Sequence, residues 1–136
     1  MRPSAAFRWL LLAIAAAVLA GCFSGGDEAP PLNAASFQEA YDQLGTMIER
    51  AQAGDADAAE VEYVKAQQIT QRINEALEEL PAAVIIRSEM LDAALRIKLE
   101  LEERRRADFL AEHAERLRAV LRDAAVALGI DPPQGD

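Results

Sequence analysis

The chain has 136 residues, of which 51% are hydrophobic, 27% charged and 5% aromatic, and its formal net charge is −9. That balance excludes a disordered tail, a collagen-like repeat and a polytopic membrane protein. A single cysteine excludes an intrachain disulfide framework, and the acidic balance argues against nucleic acid as a partner.

Residues 1–22 fall into three pieces. Arg2 and Arg8 give a positive start with no acidic residue, Trp9–Ala20 is an unbroken apolar run of 12, and Ala20 and Gly21 lead into Cys22. A membrane-spanning helix needs ~20 apolar residues, so this run reads as the core of a signal peptide, 1–21. The stretch Leu19-Ala20-Gly21-Cys22 resembles the lipobox of bacterial lipoproteins. That resemblance implies cleavage between Gly21 and Cys22, a diacylglyceryl group on the Cys22 sulfur and an acyl chain on its new amino group. These covalent lipids are the only prosthetic groups expected. Each buried methylene adds ~0.8 kcal/mol and one chain alone holds marginally, so two or three chains hold the protein permanently. Phe23 rather than aspartate follows the cysteine, which in the family favours the outer over the inner membrane. The expected location is the cell envelope, facing the periplasm.

Residues 22–33 form the lipidated cysteine and a tether. Gly25-Gly26 and Pro30-Pro31 prevent regular structure there. The segment 34–129 is read as a helical domain, rich in alanine, leucine, glutamate, glutamine and arginine. Ser36 with Glu39 has the form of a capping box, and Phe37, Tyr41, Leu44, Ile48 and Ala51 then recur at spacings of three and four. Gly54 ends that helix. Asp57 with Glu60 opens a second, whose stripe is Tyr63, Ala66, Thr70, Ile73, Leu77 and Leu80. Pro81 marks a sharp junction.

Residues 82–128 hold neither glycine nor proline. Their first half is apolar on two sides: Ile86, Met90, Ile97 and Leu101 on one, Leu91, Leu95 and Leu99 on the other. The second half carries one seam of Leu110, Ala114, Leu117, Leu121, Ala124 and Leu128. At 100° per residue Leu99 and Leu110 lie 20° apart. Glu100 with Arg104, Glu102 with Arg106 and Glu112 with Arg116 stand four apart in the favourable orientation. The expectation is one continuous helix of ~70 Å. The fold class is therefore all-α, an antiparallel helical hairpin or three-helix module with a long C-terminal helix. The alternative is a turn near 104–107, giving a four-helix bundle. Gly129 and Pro132-Pro133 end the order, leaving 130–136 as a disordered tail.

No residue set carries catalysis or a metal. His113 is the only histidine, and the di-iron pattern Glu-x-x-His would need a glutamate at position 110, where Leu110 stands. It reads as a boundary residue packing its ring. Arg104-Arg105-Arg106 is balanced by Glu102, Glu103 and Asp108, a self-paired face rather than a docking patch. Without Arg2 and Arg8 the chain has 12 basic and 23 acidic residues, a net of −11. Asp55, Asp57, Glu60 and Glu62 lack an EF-hand's glycine and final glutamate, and read as helix-capping, solubilising acids.

The resulting expectation is a membrane-anchored interaction, adaptor or assembly module and not an enzyme. Its partner-binding seam is Leu110, Ala114, Leu117, Leu121 and Leu128, meeting another envelope protein. The alternative is a self-associating structural lipoprotein whose seams pair between copies. A small-ligand binder or enzyme has the least support.

Overall fold

The computed structural model describes residues 31–135. The signal peptide 1–21, its cleavage point at Gly21 and Cys22, and most of the tether lie outside the described residues. Among those described, four helices and no strand are present: α1 (Ala34–Gln52), α2 (Ala56–Glu78), α3 (Val84–Glu102) and α4 (Ala107–Ala127), with a 3₁₀ turn at Pro81–Ala83 before α3. The fold is all-α, and the long-helix form of the expectation gives way to the four-helix alternative. No helix among the described residues is long and apolar enough to cross a membrane.

Local sequence explains each boundary. Helix α1 begins a turn earlier than Ser36 alone suggests, because Asn33 is the cap. Its Oδ1 accepts from the Ser36 amide at 2.9 Å, and Ser36 Oγ accepts from the Asn33 amide at 3.3 Å. Ser36 thus sits at the third helical position, the place Glu39 was expected to fill. At the other end Gly54 takes φ +83°, and the Asp55 amide reaches back to the Arg50 carbonyl at 2.9 Å. That is a Schellman closure, for which glycine is the residue without a steric penalty. Asp55, not Asp57, then caps α2 by accepting from the Ala58 amide at 3.0 Å. Pro81 opens the 3₁₀ turn, where its missing amide proton costs nothing.

The break between α3 and α4 is the main departure from the expected long helix. Arg105 adopts φ +56°, and its amide bonds the Glu100 carbonyl at 2.7 Å. A left-handed arginine costs on the order of 1 kcal/mol, so neighbouring contacts must hold it. They do: Arg105 Nη2 donates to Asp57 Oδ1 at 2.7 Å and Glu60 Oε2 at 3.2 Å, both on α2. Arg106 donates through Nε and Nη2 to the buried Glu100 carboxylate at 3.1 and 2.9 Å, and stacks 3.8 Å over Phe109. The expected pairs four apart give way to these connections across the turn, and Arg116 bonds Asp92 of α3 at 2.9 Å instead of Glu112.

Short connections make successive helices antiparallel. Helix α1 packs against both α2 and α4, and α3 packs against α4; α2 meets α3 less, and α4 less still. The core gathers one stripe from each helix: Phe37, Leu44 and Met47 from α1, Ile73 and Leu77 from α2, Met90 and Ile97 from α3, Leu110, Leu117 and Leu121 from α4. Alanines at 40, 66, 93, 114 and 124, all fully buried, let the backbones approach closely.

The tail is the second departure. Residues 131–135 fold back over α1 and α4 instead of standing free, with Pro133 buried. Gln38 exchanges two hydrogen bonds with Gln134, Nε2 donating to its carbonyl at 2.8 Å and Oε1 accepting from its amide at 2.9 Å. The Gly135 carbonyl accepts from Tyr41 Oη at 3.2 Å and Arg122 Nη2 at 2.7 Å.

Candidate functional site

The expected partner-binding seam is not on the surface. Leu110, Ala114, Leu117 and Leu121 are fully buried, and Leu128 is half-buried against the same core. The physical reason is the turn at 103–106: it folds 107–127 back on α3, so the seam is consumed within the chain. Pairing of these residues between copies, or with a partner, is incompatible with this fold.

The second apolar side of α3 is what remains exposed. Leu91, Leu95 and Leu99 are 49%, 55% and 44% exposed, whereas Met90, Ile97 and Leu101 on the opposite side are buried. Spaced four apart, the three leucines form a ridge roughly 12 Å long. Exposed leucines scattered singly are ordinary; these three are aligned on one side of the helix.

Different chemistry flanks each side of the ridge. Toward α2 lies a groove of about 300 Å³, lined by Gln67, Gln71, Asn74, Glu75, Met90 and Leu91. Toward α4 a cleft of about 510 Å³ is lined by Leu99, Arg96, Arg104, Phe109, Glu112 and His113 among others. Asp92 stands beside the ridge, bonded by Arg96 at 3.0 Å and Arg116 at 2.9 Å. The hydrogen bond from Arg96, reinforced by the charge of Arg116, holds its carboxyl below the ordinary aspartate value. The ridge is therefore apolar along its crest, with paired charges at its edge.

Of the other residues singled out in the sequence, His113 is half-buried with its ring 6.4 Å from Phe109, as a boundary residue would be. The arginine run serves the α3–α4 turn, with Arg105 and Arg106 both paired. Asp57 and Glu60 receive Arg105 instead of forming a capping box. Among the described residues, no group of three or more histidines, cysteines or acids could hold a metal ion.

Two features escaped the sequence reading. Arg118 is only 7% exposed; its guanidinium lies 3.9 Å over the Tyr41 ring and donates to Glu115 at 3.3 Å. Its Nε has no hydrogen-bond partner. An arginine flanking an apolar seam looks solvated in sequence, and nothing local reveals Tyr41 from another helix. Tyr63 is the other: its hydroxyl donates to the Ala94 carbonyl at 3.0 Å, and burial pushes its pKa up to about 12. That bond joins α2 to α3, which pack less closely than α1 and α2 or α3 and α4.

In comparison with known proteins, no family model, curated protein or solved structure matches the chain.

Proposed function

We propose that the protein is a lipid-anchored adaptor of the bacterial cell envelope, with a four-helix domain that engages a helix of a partner protein. Two independent features support this. The first is the lipobox-like Leu19-Ala20-Gly21-Cys22 behind a basic start and a 12-residue apolar run. It favours lipidation of Cys22, removal of 1–21, a periplasm-facing position and retention in the outer membrane. The second, which carries the binding role, is the outward leucine row of α3. Its spacing suits an amphipathic helix whose apolar side covers Leu91, Leu95 and Leu99.

The reading is binding rather than catalysis: the ridge is apolar, and Asp92, Arg96 and Arg116 beside it pair with one another. The test is a full chain carrying Leu91→Asp and Leu95→Asp. Both sites are already half hydrated, so the domain stays folded and membrane-bound while capture of a specific envelope partner is lost. Retained capture of every partner would refute the reading. Cys22→Ala tests the anchor separately, since it should release the protein or leave an unprocessed precursor.

A second reading follows from the same ridge. Two copies could cover each other's leucines, making the protein a self-associating structural element. Light scattering separates the readings: a strict monomer at tens of micromolar excludes simple self-pairing.

A further inference from the structure

The α1–α4 face beneath the tail has the construction of a peptide receptor. Among the described residues, the five hydrogen bonds that α1 and α4 make to the tail reach main-chain atoms. Gln38 takes the amide and carbonyl of Gln134, Tyr41 and Arg122 take the carbonyl of Gly135, and Arg122 Nε reaches the carbonyl of Pro133 at 3.3 Å. Only the Pro133 ring is buried, while Asp131, Pro132 and Gln134 are exposed. Such a site asks for an extended backbone, a proline, and glycine two residues on, where φ is +138° and an added Cβ would lie 3.5 Å from the Tyr41 ring.

The site also continues beyond Gly135. Gly135 stands at the edge of a cavity of about 440 Å³ lined by Asp42, Gly45, Glu49, Glu115 and Arg118, among others. Arg118, buried and stacked on Tyr41, forms part of this cavity's wall and donates to Glu115 at 3.3 Å. Three carboxylates against one guanidinium make the cavity negative, so a basic side chain just beyond the glycine would complement it.

We infer that this face is a docking site for an extended Pro-Pro-x-Gly segment of a partner protein bearing a basic residue after the glycine, and that the chain's own tail is a displaceable occupant. A tethered tail competes at an effective concentration on the order of millimolar, which keeps the site closed to weak ligands. This inference rests on neither the lipid anchor nor the leucine ridge.

Fluorescence anisotropy with two labelled peptides, GIDPPQGD and GIDPPQGK, tests it. In the full chain carrying Gly135→Val, the valine cannot take the left-handed backbone, so the tail leaves and the site opens. The expected result is saturable binding, several-fold tighter for the lysine peptide, at least about tenfold weaker in the wild-type chain, and lost when Gln38→Ala is added. A chain ending at Gly129 opens the same site by deletion and should bind alike. The inference is overturned if the opened chains, with helicity intact, bind neither peptide, if wild type binds as tightly as they do, or if the aspartate peptide is preferred. Unfolding of both opened chains would equally overturn it, making the tail a structural strap. A wild-type dimer formed by exchanged tails would assign the site to a second copy instead.

Discussion

Leu117→Ala separates the four-helix bundle from a long helix with an open seam. Leu117 is fully buried within the α4 stripe, between Ala114 and Leu121, which are equally buried. Truncating a fully buried leucine removes its transfer free energy and leaves a cavity, together about 2.7–5 kcal/mol. The small alanines around it have little side chain to move into the space, which places the expected loss near ~3 kcal/mol or above. Leu95→Ala is the internal control. With 55% of that residue exposed, the same truncation should cost under ~1 kcal/mol. In urea titrations followed by helical circular dichroism, with a slope of ~1.5 kcal/mol per molar, Leu117→Ala lowers the midpoint by about 2 M and Leu95→Ala by under ~0.7 M. A Leu117→Ala midpoint no lower than that of Leu95→Ala would refute the burial of the seam.

Three other outcomes follow from named contacts. Tyr63 is neutral in the fold up to about pH 12, whereas an unfolded tyrosine ionises near 10. Its contribution is therefore complete below pH 10 and is lost as pH rises to 12, about 2–3 kcal/mol in all, so the alkaline stability loss should be smaller in Tyr63→Phe; equal losses in both chains would contradict this. Asp92 has a lowered folded pKa, so its contribution is present above the ordinary aspartate range and lost as pH falls through its folded value; an acid-unfolding curve for Asp92→Asn should lack that component. Glu100 is buried against the partly exposed Arg106, and a double-mutant cycle with Glu100→Gln and Arg106→Gln should return a coupling of ~1–2 kcal/mol in chemical denaturation, whereas additive effects would mean the pair does not hold the turn.

The extent to which this fold can be read in sequence follows the kind of signal each feature leaves. The stripes of α1 and α2, the stop at Gly54 and the junction at Pro81 are local and legible, because apolar spacing and special backbone residues write them directly. The turn at 103–106 leaves no such mark. It uses an arginine where glycine is usual, and depends on Asp57 and Glu60 from another helix. The same polar run that a continuous helix would use for pairs four apart serves equally well to bind a turn. Leu99 and Leu110, close on a helical wheel, end in opposite environments, one exposed and one in the core.

The functional surface is legible to the same degree. The two-sided apolar character of 84–101 is plain in sequence, but which side stays open depends on where α4 packs. With Met90 and Ile97 in the core, Leu91, Leu95 and Leu99 stay open, together with Val84 and Ile85 at the start of the helix. The tail site is illegible, since Gln38, Tyr41, Arg118 and Arg122 meet only when α1 lies beside α4.

The adaptor reading is tested most directly by photocrosslinking in living cells from a reactive residue placed at Ser88, exposed on the same side of α3 as the leucines. The account predicts an adduct with one envelope protein, lost when Leu91→Asp and Leu95→Asp are added to the same chain. Adducts only between copies, or an adduct indifferent to those substitutions, would contradict it.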